Sequence, residues 1–198
     1  MLNIGVLAIQ GDVTEHKYAL SQLRVTSTDV RLPTDLERID GLIIPGGEST
    51  TMMQLIDTYH LRAPLIKQLK SGKPVWGTCA GLIALANQLT DKRPKPLELM
   101  NITVSRNAYG RQVNSFETDL DIECVSEPPF KAVFIRAPKI TEVGPEVEIL
   151  SRLFDGQPVA VRQSNMLGTS FHPELTDDLR IHKLFVNIVE NSIMAPMK

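Results

Sequence analysis

Apolar residues in this chain alternate between two rhythms. Asn3-Ile4-Gly5-Val6-Leu7-Ala8-Ile9 is a continuous apolar run, the pattern of a strand buried on both faces in a parallel sheet. Gln10-Gly11-Asp12 breaks it. Ala19, Leu20 and Leu23 then recur at helical spacing, and Asp12 with Glu15 three residues later reads as a capping box for that helix. A second strand is expected around Val30 to Leu32, ended by Pro33, and a third over Gly41-Leu42-Ile43-Ile44. Helical spacing resumes from Thr51 to about Tyr59 and from Pro64 to Lys70. The short apolar strand Pro74-Val75-Trp76 follows, and after a tight turn a buried helix is expected from Leu82 to Leu89. Strand alternating with helix this regularly predicts a parallel sheet with helices on both faces.

The middle of the chain changes character. Leu97 to about Ile135 is strand-like, with turn signals at Asn107-Ala108-Tyr109-Gly110 and Glu127-Pro128-Pro129. We expect these strands to form an antiparallel extension attached to the edge of the main sheet. Val147 to Leu150 and Val159 to Gln163 read as further strands, with Asp155-Gly156 as a hairpin turn. Met166 to Phe171 is the last strand, ending at His172-Pro173-Glu174. Asp177 or Asp178 can cap a final helix, Leu179 to Val189, whose apolar face is Ile181, Leu184, Phe185, Ile188 and Val189. The expected fold is therefore α/β: a mostly parallel central sheet, helices on both faces and an antiparallel strand extension. Residues 1–198 are expected to form one domain, since no repeat or low-complexity linker divides them.

Composition narrows the function. A chain of 198 residues can bury a substantial core. Its net charge of −2 is spread along the sequence without a basic run or aromatic–basic interleaving, so no nucleic acid is expected as a partner. The first residues are too short and uncharged a run for a signal peptide, and no apolar stretch is long enough to span a bilayer, so no membrane partner is expected either. The two cysteines, Cys79 and Cys124, do not approach zinc-ligand spacing with the histidines. Neither a metal nor a cofactor is expected.

The chemistry concentrates in Gly77-Thr78-Cys79-Ala80-Gly81. Strand, tight turn of small residues around one nucleophile, then helix: this is the thiol form of a nucleophile elbow. Gly77 and Gly81 leave room for a strained turn and close strand–helix packing. The N–H groups and dipole at the helix start favour an anionic sulfur. A free Cys79 fits a reducing cytoplasm. His172 lies just past a strand, and Glu174, two residues on, falls on its side of an extended segment, where it can orient the imidazole. Ala80, following the nucleophile, supplies one oxyanion donor, and Gly47 in Pro45-Gly46-Gly47 can bring a second N–H close. Glu48-Ser49-Thr50-Thr51 adds polar groups at the same mouth. Arg106 and Arg136 each end an expected strand, where a cation could hold a substrate carboxylate. Each feature has a plainer reading: a buried thiol, a solvated histidine, a glycine turn, a surface charge. That plainer reading is kept for His16, His60 and His182, and Cys124 is expected in the core.

Gly77-Thr78-Cys79-Ala80-Gly81 with Phe171-His172-Pro173-Glu174 resembles class I glutamine amidotransferases. Leu7-Ala8-Ile9-Gln10-Gly11-Asp12, Pro45-Gly46-Gly47-Glu48-Ser49-Thr50-Thr51, the stretch from Arg106 to Glu117 and Phe134-Ile135-Arg136-Ala137-Pro138 narrow the resemblance to glutaminase subunits of pyridoxal 5′-phosphate synthase, the PdxT family. The resemblance implies a flavodoxin-like arrangement and hydrolysis of L-glutamine. It implies delivery of the ammonia to a separate synthase (lyase) subunit in a hetero-oligomeric complex, which builds the vitamin B6 cofactor from a pentose phosphate and a triose phosphate. It implies Cys79, His172 and Glu174 as the triad, and Gly46, Gly47, Glu48, Arg106, Ile135 and Arg136 as the residues that hold glutamine. Members commonly carry a glycine after the first helix, where this chain has Arg24 after Leu23. Two rivals remain. The glutaminase subunit of imidazole glycerol phosphate synthase shares the triad but not the Gly-Gly-Glu-Ser-Thr-Thr stretch, and a non-catalytic relative would only bind a partner.

Overall fold

A computed structural model describes residues 2–106 and 115–194. β1 (Asn3–Leu7) leads into α1 (Val13–Gln22), β2 (Thr26–Val30) and β3 (Gly41–Ile44). α2 (Ser49–Thr58), α3 (Arg62–Lys70), β4 (Val75–Thr78) and α4 (Ala80–Leu85) follow. Then come β5 (Ala86–Leu89), β6 (Met100–Ser105), β7 (Ser115–Leu120), β8 (Phe130–Ile135), β9 (Lys139–Val143), β10 (Glu148–Arg152), β11 (Pro158–Gln163), β12 (Met166–Thr169) and α5 (Arg180–Met194). The main sheet runs β10-β11-β12-β4-β3-β1-β2. β12, β4, β3, β1 and β2 are mutually parallel, and β10 and β11 extend that edge antiparallel.

Side chains alternate across the sheet as strand geometry requires. Ile4, Val6, Ile43, Trp76 and Leu167 meet Leu20 of α1 and Ile181, Phe185 and Val189 of α5. Leu42, Ile44 and Val75 point the other way, onto Met52 and Ile56 of α2, Leu65 of α3 and Leu82 of α4. The doubly covered parallel sheet expected from the sequence is thus present.

Four local expectations are corrected. The helix expected from Leu82 to Leu89 stops at Leu85. The segment Leu97 to Leu99 crosses its end, and Leu97 N, Glu98 N and Leu99 N donate to Ala84 O, Ala86 O and Leu85 O at 2.8, 3.2 and 3.2 Å. Those carbonyls need no further helical turn, and residues 86–89 become β5. The strands between Leu97 and Ile135 do not join the main sheet. β5, β6 and β9 form one small sheet, with β5 and β6 parallel, and β7 pairs with β8 in another. The second strand lies earlier than expected, at Thr26–Val30, because in-register pairing with β1 imposes strand geometry on a mostly polar segment. Asp12 precedes α1 without a side-chain capping bond.

The hairpin turn at Asp155-Gly156 forms, with Gly156 N donating to Leu153 O at 2.9 Å. Of the two capping candidates, Asp178 accepts from Arg180 N at 3.0 Å. Arg24 takes the left-handed conformation after α1, at φ +59°, where a glycine would cost less. The expected turn at Asn107 to Gly110 lies outside the described residues.

Candidate active site

β4 delivers Cys79, the candidate nucleophile. Its pairing with β12 continues to Thr78, and Cys79 N donates to Thr169 O at 2.8 Å. The chain then turns sharply, with Cys79 at φ +47° and ψ −99°, a conformation costing roughly 1–3 kcal/mol. The flanking glycines permit it. A Cβ on Gly77 would stand 2.4 Å from the Gly81 carbonyl carbon, and one on Gly81 would stand 2.0 Å from Ile44 O. Strand and helix therefore meet through bare backbone. Ala80 opens α4, so its N–H has no acceptor within the helix. Cys79 is a free thiol, 6% exposed, with Sγ 3.9 Å from Ile135 O at the end of β8.

His172 comes off the end of β12, its backbone N–H donating to Val133 O at 2.8 Å. Pro173 opens a 3-10 turn, Pro173–Leu175. This turn, rather than the extended segment expected, sets Glu174 beside the ring, with Oε1 2.8 Å from His172 Nδ1. Nε2 is left for the sulfur. A second carboxylate shares Nδ1: Asp12 Oδ2 lies 3.3 Å away. Burial works against a charged imidazole, but hydrogen bonds to Asp12, Cys79 and Glu174 outweigh it and push His172 up to about 12. The hydrogen bond from His172 holds the Asp12 carboxyl below its usual range, against partial burial. Burial pushes the Glu174 carboxyl up, and the His172 bond offsets part of that.

Asp12, His172 and Glu174 each place a ligand-type atom within 4.8 Å of the others. A tetrahedral ion about 2.1 Å from each would hold such atoms about 3.4 Å apart. The 2.8 Å Nδ1–Oε1 contact is a hydrogen bond instead.

The cleft above these groups encloses about 670 Å³ and brings Gly47, Glu48, Arg106, Ile135 and Arg136 to the same mouth as Cys79 and His172. Gly46 lies behind it. A Cβ there would stand 2.4 Å from His172 Cε1, and its carbonyl accepts from Asp12 N at 3.1 Å. Gly47 has φ +150°, and a Cβ on it would lie 2.5 Å from Gln10 Oε1. That same Gln10 oxygen accepts from Glu48 N at 3.1 Å. The peptide after Gly47 is thus tied to Gln10. The Glu48 carboxylate caps α2, accepting from Thr50 N and Thr51 N at 3.0 and 2.7 Å. Those bonds overcome the desolvation that would raise it and pull it down to about 2.

The model of the SNO glutamine amidotransferase family matches residues 6–191. The chain belongs to that family. It is 50% identical over 189 residues to the pyridoxal 5′-phosphate synthase subunit PdxT of Thermotoga petrophila, covering 96% of this chain and 100% of the relative. It is 53% identical over 190 residues to the subunit of the same name from Bacillus licheniformis, covering 96% of each. A crystal structure of a glutamine amidotransferase superimposes with a TM-score of 0.90 at 44% identity, covering 94% of this chain and 98% of that one.

Within this amidotransferase fold the two arginines are not equivalent. Arg106 spends Nε and Nη2 on Asp91 Oδ2, at 2.8 and 2.7 Å, and Nη1 on Thr50 Oγ1 at 3.0 Å. Arg136 lines the cleft from a left-handed backbone, φ +44°, without an ion pair among the described residues. Cys124, expected in the core, is exposed at φ +67°, in the irregular link between β7 and β8. His60 is an exposed residue at a helix end, as its plain reading has it. Sequence reasoning missed Gln10 and Asp12, which it took for turn and cap. It also missed His16 and His182, which are 0% and 1% exposed behind Glu174. A signal for the histidines existed: His16 shares the spacing of Ala19 and Leu20, and His182 that of Phe185 and Val186, on buried helix faces.

Proposed function

We propose that this chain is the glutaminase subunit of a pyridoxal 5′-phosphate synthase, hydrolysing L-glutamine to L-glutamate and passing the ammonia to a synthase subunit. The observation that carries the reading is Cys79, held on a strained elbow at one cleft with His172 and Glu174 hydrogen-bonded beside it. The thiolate of Cys79 attacks the side-chain amide carbon. The oxyanion takes N–H bonds from Ala80 and from the peptide beside Gly47. His172 gives its Nε2 proton to the departing nitrogen, releasing ammonia and leaving a γ-glutamyl thioester. His172 then takes a proton from water, whose oxygen attacks the thioester carbon; collapse expels the Cys79 thiolate and frees glutamate. Glu174 holds the ring through Nδ1. No helix among the described residues is long and apolar enough to cross a membrane, and a free nucleophilic thiol suits the reducing cytoplasm. Ammonia release from glutamine, measured for the full chain alone and with its synthase subunit, tests the reading. Absence of ammonia in both would leave a non-catalytic binding protein.

Arg136 is the cation that reads the substrate α-carboxylate in this proposal, because Arg106 is already occupied by Asp91. Arg136→Ala is expected to raise the KM for glutamine about 10- to 150-fold, the loss of one charge-assisted bond of roughly 1.5–3 kcal/mol. Arg106→Ala should weaken binding less, through disorder at the start of α2. A larger loss in Arg106→Ala would reverse the assignment.

The Gly47 peptide supplies a switch. Glu48 N donates to Gln10, and in this proposal that bond withholds the donor from the oxyanion until the synthase subunit docks. Docking of the synthase subunit is expected to turn it inward. One such donor is worth roughly 10²- to 10³-fold in turnover. Gly47→Ala should therefore blunt stimulation by the synthase subunit more than it lowers the basal rate. A parent chain already at full rate alone would remove the switch.

A further inference from the structure

Glu174 has two oxygens, and the mechanism uses one. Oε1 meets His172, whereas Oε2 is buried without a hydrogen-bond partner. A donor able to complete it is His16 of α1, whose Nε2 lies 3.6 Å from Oε2 and 3.3 Å from Thr78 Oγ1, one residue before Cys79. The other nitrogen of His16, Nδ1, lies 3.0 Å from Nε2 of His182 on α5. Trp76 packs T-shaped against both imidazoles, with ring centroids 5.4 and 4.9 Å away. A continuous buried file therefore runs from α5 through α1 to the triad carboxylate.

Proton counting gives this file a direction. One proton must lie between His182 Nε2 and His16 Nδ1, since two would clash and none would set lone pair against lone pair. If it belonged to His16, Nε2 of His16 would turn a lone pair on the carboxylate. Neutral His182 would then carry its proton on Nδ1, a buried atom with no acceptor. If it belongs to His182, His16 carries its own proton on Nε2, toward Thr78 and Glu174. Along this file the unmet atoms are then acceptors, Nδ1 of His182 and Oε2 of Glu174, and the second of these faces a donor. The second arrangement leaves fewer buried groups unpaired.

We propose that His16 is a positioning residue, donating its Nε2–H to Glu174 Oε2, and that His182 fixes the required tautomer by donating Nε2–H into His16 Nδ1. The proposal rests on Glu174 being the orienting carboxylate of the glutaminase reading. At 3.6 Å the His16–Glu174 contact is longer than a hydrogen bond, and the proposal has it shorten in the working enzyme. Desolvation keeps both histidines neutral: it holds His16 well below its ordinary value and brings His182 to about 4. They can therefore orient the carboxylate without competing with His172 for its charge. The charged or titratable groups that face Glu174 are His172 beside it, Asp12 just ahead of α1 and His16 of α1, with Cys79 at the elbow acting through His172 and His182 of α5 acting through His16.

Two measurements test this. The first needs neither a variant nor turnover: ¹⁵N-labelled histidine side chains in the full chain report tautomers directly. His16 and His182 are both expected as neutral Nε2–H forms, and a neutral Nδ1–H form or an imidazolium at His16 overturns the proposal. The second compares kcat, KM and the pH profile of ammonia release, with saturating synthase subunit, for the parent, His16→Leu and His16→Gln. His16→Leu is expected to lower kcat about 10- to 100-fold, by analogy with the loss when the hydrogen-bond partner of a metal-bound side chain is removed, with KM little changed. Losing a donor to its charged form makes Glu174 easier to protonate, so the acid limb should move up by about half a unit to one unit. His16→Gln offers an amide N–H near the former Nε2 and should recover most of kcat and return the limb. A His16→Leu profile equal to the parent's, or Leu and Gln variants equally impaired, overturns the proposal. Should the Leu variant not fold, the tautomers and the Gln profile decide. A parent that releases no ammonia would remove the glutaminase reading, while the tautomer measurement would still judge the histidine file.

Discussion

Cys79→Ala is expected to abolish ammonia release while leaving the fold intact. Sulfur supplies the bond to the substrate carbon in this mechanism, and no other described group lining the cleft is a thiol. The strained turn at φ +47° is held by Gly77, Gly81 and the Cys79 N–H bond to Thr169, none of which needs the sulfur. Alanine at the elbow should therefore fold and superimpose on the parent. Cys124→Ser is the matching control: Cys124 is exposed, outside the cleft, and its replacement should leave turnover nearly unchanged. Far-ultraviolet circular dichroism and thermal unfolding check the fold, and ammonia release checks the chemistry. Activity lost in Cys124→Ser but kept in Cys79→Ala would move the nucleophile elsewhere.

Glu174→Gln should reduce turnover by up to about 10⁴-fold, the size of the effect when the carboxylate of a serine protease triad becomes an amide. The substrate does not have to touch Glu174, which is buried at 7% exposure beneath His172, so KM should change little. The amide cannot balance an imidazolium, and its NH₂ group is a poor fit to the donor of His16. Asp12 complicates a single substitution. Its Oδ2, 3.3 Å from His172 Nδ1, can take over part of the charge. Combining Asp12→Asn with Glu174→Gln should thus lose more than Glu174→Gln alone, and Asp12→Asn alone should lose the least. Steady-state kcat and KM for the three variants decide it. Unchanged turnover with much poorer binding in Glu174→Gln would take Glu174 out of the triad and into the substrate pocket.

Much of the main sheet was legible because its signals are local. An apolar run such as Gly41 to Ile44 has one stable outcome, burial on both faces, and β3 forms there. The elbow was legible for the same reason. Gly77 and Gly81 flank Cys79 at a strand–helix junction, and the backbone packs so closely there that no side chain fits. What failed was decided by partners distant in the chain. Residues 86–89 carry a helical apolar pattern, yet the crossing of Leu97 to Leu99 satisfies the carbonyls of Ala84 to Ala86 and turns them into a strand. Thr26 to Val30 is polar enough to pass for a loop, yet pairing with β1 makes it a strand.

Within the candidate site the division has the same physical cause. The sequence by itself singled out the candidate residues: a thiol on a glycine elbow, a histidine and a glutamate after the last strand, a glycine pair ending another. Each rests on short-range backbone geometry. Only the tertiary structure decided what surrounds them. Asp12 lies 160 positions from His172 and looked like a helix cap, but the turn after β1 packs its carboxylate on the imidazole. His16 and His182 are 166 positions apart and meet because α1 and α5 cover the same face of the sheet. Arg106 looked as available as Arg136 until Asp91 was found against it. A hydrogen bond or ion pair depends on the distance between two side chains, and for pairs this far apart in the chain the packed fold sets that distance.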